Sequence, residues 1–165
     1  MHFQWYPGHM TKARRMMQEN IKLIDLIIEL VDARVPLSSR NPDIDELGKN
    51  KARLILLNKS DLAEERINDE WIDYFKDRGY SAVKVNSKKG GGMNQIRSAI
   101  QEACKEKTER DRKRGILNRP VRAMVVGIPN VGLRLSIPSR GRHVRRLGIS
   151  RALQKGNSGS GLIKM

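Results

Sequence analysis

Residues 53–61 read RLILLNKSD. One arginine leads four apolar residues, and Asn58, Lys59, Ser60 and Asp61 close the run. A short apolar run of this kind suits a β-strand covered on both faces, as in parallel sheets. The polar tetrapeptide then falls at the carboxyl end of a strand, where open parallel sheets bind ligands. Its chemistry is specific. A carboxylate at Asp61 accepts one hydrogen bond from the ring N–H of guanine and one from its exocyclic amine. Adenine lacks both donors, so a site built this way rejects it. The Asn58 amide both donates and accepts, and the stem of Lys59 has the length to lie along a base plane. The plainer reading is a polar turn ending a strand, and four residues alone do not exclude it.

Working outward, strand and helix patterns alternate. Met10, Ala13, Met17, Ile21 and Ile24 recur at helical spacing with basic residues between them, which predicts a helix over 10–24. Residues 26–31 (LIIELV) predict a strand, 33–42 a loop with two prolines, and 43–49 a short helix. Asn68 to Arg78 reads as a helix with Asn68 as N-cap and Gly79 just past its end. Residues 81–85 predict a strand and 87–92 a turn. Residues 93–107 predict a helix on Met93, Ile96, Ile100 and Cys104, running into charge-dense sequence over 105–119. A last strand is expected at 121–126 (VRAMVV). Such alternation argues for βαβ units around a parallel sheet.

Other motifs fall at predicted strand ends. Val85-Asn86-Ser87-Lys88 follows the strand after the NKSD run, where Asn86 and Ser87 could brace a base and the Asp61 carboxylate; a turn is the alternative. Gly127-Ile-Pro-Asn-Val-Gly132 has the strand and the glycine spacing of a phosphate loop, G-x-x-x-x-G-K-[ST]. Gly127, Asn130, Val131 and Gly132 fit it. The next two residues do not: Leu133 stands in place of the lysine, and Arg134 in place of the Mg²⁺-binding hydroxyl. Asp32-Ala33-Arg34-Val35-Pro36 ends the 26–31 strand; Arg34 is either a solvated charge or a phosphate or RNA contact. Trp5-Tyr6-Pro7-Gly8-His9-Met10 precedes the basic helix, an arrangement that suits RNA stacking or a plain helix entry.

Composition narrows the partners. The formal charge is +15, which favours an anionic partner such as nucleic acid. All 18 acidic residues precede residue 133, and eight basic residues follow it, so about half the excess lies in the tail. Pro138 would interrupt a helix there, and 133–165 is expected to be a basic, poorly ordered tail. The switch to acid-free sequence at 133 is the pattern a shifted reading frame with an early stop would leave. The single Cys104 forms no internal disulfide and reads as a buried apolar residue. The three histidines and one cysteine show no metal spacing, so no metal site is expected from them. The apolar run 21–31 is too short and too charged to span a membrane; with no signal pattern, the cytoplasm is expected.

In this order the motifs W-Y-P-G-H-M, DARVP, NKSD, VNSKKG and RPVRAMVVGIPNVG resemble the circularly permuted GTPases, in which the guanine motif precedes the phosphate loop. The resemblance covers residues 1–132. It implies a Ras-like α/β fold with permuted motif order, incomplete here at its C-terminal end. It also implies binding of GTP or GDP with Mg²⁺, GTP hydrolysis stimulated by the ribosome, and a role in late assembly of the large ribosomal subunit with its rRNA. Asn58, Lys59, Ser60 and Asp61 would read guanine, Asn86 and Ser87 would support the base, and Gly127, Asn130, Val131 and Gly132 would form the phosphate loop. His9 would orient the attacking water. The chain departs from the family at Leu133 and Arg134, and it has no downstream D-x-x-G motif. Impaired hydrolysis is therefore expected, and whether the chain is still an enzyme stays open. The competing expectation is a non-catalytic basic module that binds RNA or ribosomes.

Overall fold

The computed structural model describes residues 15, 17–86, 92–117, 119–127 and 159–164. Residues 15 and 17–21 are helical (α1), and the helix expected over 10–24 ends at residue 21, three residues early. Then follow β1 (Leu26–Asp32), α2 (Asp43–Leu47), β2 (Ala52–Asn58), a 3-10 turn (Ser60–Leu62), α3 (Glu65–Asp77), β3 (Ser81–Lys84), α4 (Met93–Ala103), α5 (Lys105–Lys113), β4 (Arg122–Gly127) and β5 (Gly159–Lys164). The sheet order is β3-β2-β1-β4-β5. The first four strands are parallel, as the alternating pattern requires, and β5 runs antiparallel to β4. Of the tail expected to be poorly ordered, residues 159–164 pair their backbone along β4 from Gly127 to Arg122. Among the described residues they are what pairs with this edge of β4. Residues 128–158 lie outside the described residues.

β1 is buried along its whole length, so its side chains alternate between two covered faces. Leu26, Ile28 and Leu30 join Leu54, Leu56, Val85 and Ala123 under Ile96, Ile100 and Cys104 of the α4 segment. On the other face Ile27 packs with Met17, Ile24, Ile44 and Met124. Farther along that face Val31, Ile55 and Leu57 pack on Phe75 of α3. Cys104 is buried as expected, and burial pushes its thiol up to about 11.

One polar residue sits in this apolar strand. Glu29 is 1% exposed and meets Arg53 Nη2 at 2.9 Å and Arg40 Nη2 at 3.1 Å. Arg53 Nη1 also pairs with Asp45 at 2.8 Å, and its guanidinium lies 4.7 Å from the Tyr80 ring centroid. This network ties β1 to β2, to the loop after β1 and to α2.

Two local readings change. α3 starts at Glu65, three residues before the expected Asn68 cap. Asn68 is instead fully buried inside its first turns, and its Nδ2 donates to the Ser60 carbonyl at 3.0 Å. The asparagine caps the 3-10 turn before the helix rather than the helix itself. The helix expected over 93–107 breaks at Cys104 and resumes as α5. The break brings Lys107 Nζ to 2.8 Å from Asp25 at the start of β1. Gly79 ends α3 at φ +78, with its N–H on Lys76 and that of Tyr80 on Phe75, the double bond of a glycine-terminated helix.

Candidate functional site

Strand register places the motifs side by side. Asp32 of β1 is in register with Asn58 of β2, Leu57 with Lys84 of β3, and Leu30 with Gly127 of β4. The described parts of the NKSD, VNSK, DARVP and glycine-loop segments therefore share the carboxyl edge of one parallel sheet, where such sheets bind ligands. A cleft of about 370 Å³ lined by Lys76, Gly79, Tyr80, Ser81 and Ala99 lies at the opposite, amino end of β3.

Asn58 is 1% exposed, and its carbonyl accepts from the Ala33 N–H at 2.8 Å, joining β2 to the DARVP turn. Lys59 follows at φ +59 and ψ +33, the left-handed region. Among the described residues it is the only non-glycine with positive φ. Such a conformation costs on the order of 1 kcal/mol or more and collects at ligand sites. It turns the chain sharply out of the sheet into the Ser60–Leu62 turn. Ser60 fixes that turn to β3: its N–H and Oγ both donate to the Val85 carbonyl, at 3.3 and 3.1 Å. Asn68 holds the Ser60 carbonyl from below. Asp61 is left exposed at the rim, and its carboxylate pairs with no described residue. Asn86, half-buried, follows Val85 at the end of β3. Gly127 is the last residue of β4.

The DARVP segment, whose Arg34 the sequence left between a solvated charge and a phosphate or RNA contact, folds onto this edge. Arg34 grips Asp32 with Nε on Oδ1 at 2.9 Å and Nη2 on Oδ2 at 2.7 Å. Lys59 Nζ donates to the same Oδ2 at 2.8 Å. Arg34, and beside it Lys59, hold the buried Asp32 carboxyl far below the usual carboxylate range. Asp32 was missed as a site residue because nothing local distinguishes it. The usable signal was register: parallel pairing sets it against Asn58, directly before Lys59.

His9, Ser87, Asn130, Val131 and Gly132 lie outside the described residues, as do Leu133 and Arg134. For Mg²⁺ the described residues offer no ligand set. No three His, Cys, Asp or Glu side chains converge among them, and two cations already occupy Asp32. Among the described residues no helix is long and apolar enough to cross a membrane.

Fold and sequence together put the NKSD segment at the carboxyl edge of a parallel sheet and ahead of the glycine-rich segment in the chain. No family model matches the chain. It is 53% identical over 132 residues to ribosome biogenesis GTPase A of Bacillus cereus, covering 80% of this chain and 45% of that protein. It is 36% identical over 146 residues to mitochondrial ribosome-associated GTPase 1 of Mus musculus, covering 86% of this chain and 43% of that one. The fold matches GNP-bound YlqF from T. maritima at a TM-score of 0.58 and 22% identity, over 84% of this chain and 53% of that chain. The chain is thus a homologue of the circularly permuted ribosome biogenesis GTPases, and it spans about half the length of the curated relatives it matches.

Proposed function

We propose that this chain is the guanine-nucleotide-binding part of a ribosome-assembly GTPase of late large-subunit maturation, with hydrolysis impaired after its phosphate loop. One observation carries the reading above the others: the left-handed Lys59 turns β2 out of the sheet and leaves the Asp61 carboxylate exposed and unpaired among the described residues. Asp61 would accept both guanine donors, Asn58 would hold the turn, Lys59 would flank the base, and Asn86 and Ser87 would back it. Gly127, Asn130, Val131 and Gly132 would cradle phosphates with backbone N–H groups. Relatives named as GTPases, and neighbours solved with GNP and GDP, support the same ligand class.

The impairment rests on Leu133 and Arg134. A loop lysine stabilises charge on the transferring phosphoryl group, worth several kcal/mol, and leucine supplies none. Arginine cannot take the place of the hydroxyl that ligates Mg²⁺. His9 would serve as the water-orienting residue. The +15 charge fits an rRNA partner, and the cytoplasm is the compartment that follows.

Titrating the purified chain with a fluorescent GDP analogue tests this. Saturable binding is expected, displaced by GDP and not by ADP, with GTP turnover near background and insensitive to Mg²⁺ or large subunits. Equal displacement by ADP overturns the guanine reading. Mg²⁺-dependent, ribosome-stimulated turnover overturns the impairment. Salt-steep binding to large-subunit particles that ignores nucleotide favours the RNA module instead.

A further inference from the structure

Lys59 and Arg34 share one carboxylate, but their dependence on it differs. Arg34 satisfies both oxygens of Asp32 in a two-point grip, at 2.9 and 2.7 Å. Its backbone N–H adds a third bond to Oδ1 at 3.1 Å. Asp32 is therefore neutralised and hydrogen-bonded without Lys59. The converse does not hold. Among the described residues Asp32 is the one ion-pair partner of the Lys59 ammonium. A lysine stem released into water regains rotamer entropy that ordering by a ligand must remove again.

The surroundings of Asp32 are built to keep it still. Its side chain is 7% exposed, against 25% for Lys59 and 49% for Arg34. Its backbone N–H donates to Ser39 Oγ at 2.9 Å, and that buried hydroxyl donates onward to the Pro36 carbonyl at 3.1 Å. The loop from Ala33 to Ser39 thus holds Asp32 at two points, Arg34 at its carboxylate and Ser39 at its backbone N–H. Across the sheet, the Ala33 N–H bonds the Asn58 carbonyl at 2.8 Å, so this carboxylate is fixed relative to the Lys59 backbone as well.

We infer that Asp32 is a positioning residue of the nucleotide site: it holds the Lys59 stem stretched across the strand ends, as one wall of the base pocket, before nucleotide arrives. The inference rests on the guanine reading of Asn58–Asp61 and extends it. It makes the DARVP segment part of the nucleotide site rather than a separate RNA contact.

A double-mutant cycle on the full chain tests it, read by displacement of a fluorescent GDP analogue with GDP. Asp32→Asn should weaken GDP binding about tenfold when Lys59 is present. It should add less than about twofold in a Lys59→Ala background, because an effect carried through Lys59 vanishes with it. An equal loss in both backgrounds makes Asp32 a purely structural residue and overturns the inference. So does wild-type affinity in Asp32→Asn. If a thermal melt shows Asp32→Asn unfolded, Asp32→Glu goes through the same cycle. It should show a smaller loss confined to the Lys59 background; no loss in either background, or the same loss in both, overturns the inference. Failure of the wild-type chain to bind GDP removes the guanine reading and this inference with it, whereas binding without coupling removes the inference alone.

Discussion

Asp61→Asn should cost about 3 kcal/mol of GDP affinity, roughly 150-fold, and should move the preference to xanthine nucleotides. The carboxylate offers two acceptors to two guanine donors. Asparagine keeps one acceptor and sets an N–H₂ against the exocyclic amine, donor facing donor. Xanthine carries a carbonyl where guanine carries that amine, so the new amide pairs with it. Competition of GDP and XDP for a fluorescent nucleotide measures the change. The fold should be untouched, because Asp61 is exposed and no described residue leans on its side chain. Equal weakening of both nucleotides would take base reading away from Asp61 and leave it a surface acid.

Glu29→Ala should destabilise the chain by about 3–5 kcal/mol, the usual cost of removing one partner from a buried charge cluster. Arg53 would stay buried, its side chain 5% exposed, with Asp45 the one carboxylate left to it among the described residues. Arg40, 13% exposed, would likewise keep Asp45 as its one carboxylate among the described residues. Domains of this size are stable by about 5–15 kcal/mol, so the loss is a large share of the total. Urea denaturation of the two chains gives the difference. A loss under about 1 kcal/mol would mean that the arginines re-solvate freely and that the network holds nothing. Nucleotide binding should weaken only through loss of folded protein, since Glu29 lies three residues inside the strand from Asp32.

How much of this was legible in the sequence follows from what is local and what is not. The four parallel strands stood out because their apolar runs, each broken by at most one charged residue, end in polar or glycine-rich segments. Gly79 marked the end of α3 through a backbone requirement that few other residues meet. The NKSD segment carried its own chemistry. What stayed hidden was tertiary. Asn68 has the composition of an N-cap, and only the turn folded beneath it shows that it bonds Ser60. Nothing in the periodicity of 93–113 marks the break at Cys104, after which Lys107 pairs with Asp25, some 80 residues earlier in the chain. Asp32 reads in sequence as the start of a strand-to-loop turn. Its role emerges when parallel register sets it against Asn58 and the left-handed Lys59 sends its ammonium back to meet it. The pairing of 159–164 with β4 was not readable either, because glycines and serines carry little strand preference and the partner edge supplies the order.

The central claim is that the turn after β2 reads guanine through Asp61. A crystal structure of the chain with GDP tests it most directly. The expected result puts the two Asp61 carboxylate oxygens about 2.7–3.2 Å from the guanine ring N–H and exocyclic amine nitrogens, with the base against the Lys59 stem. GDP bound elsewhere, or bound here with Asp61 turned to solvent, would contradict it.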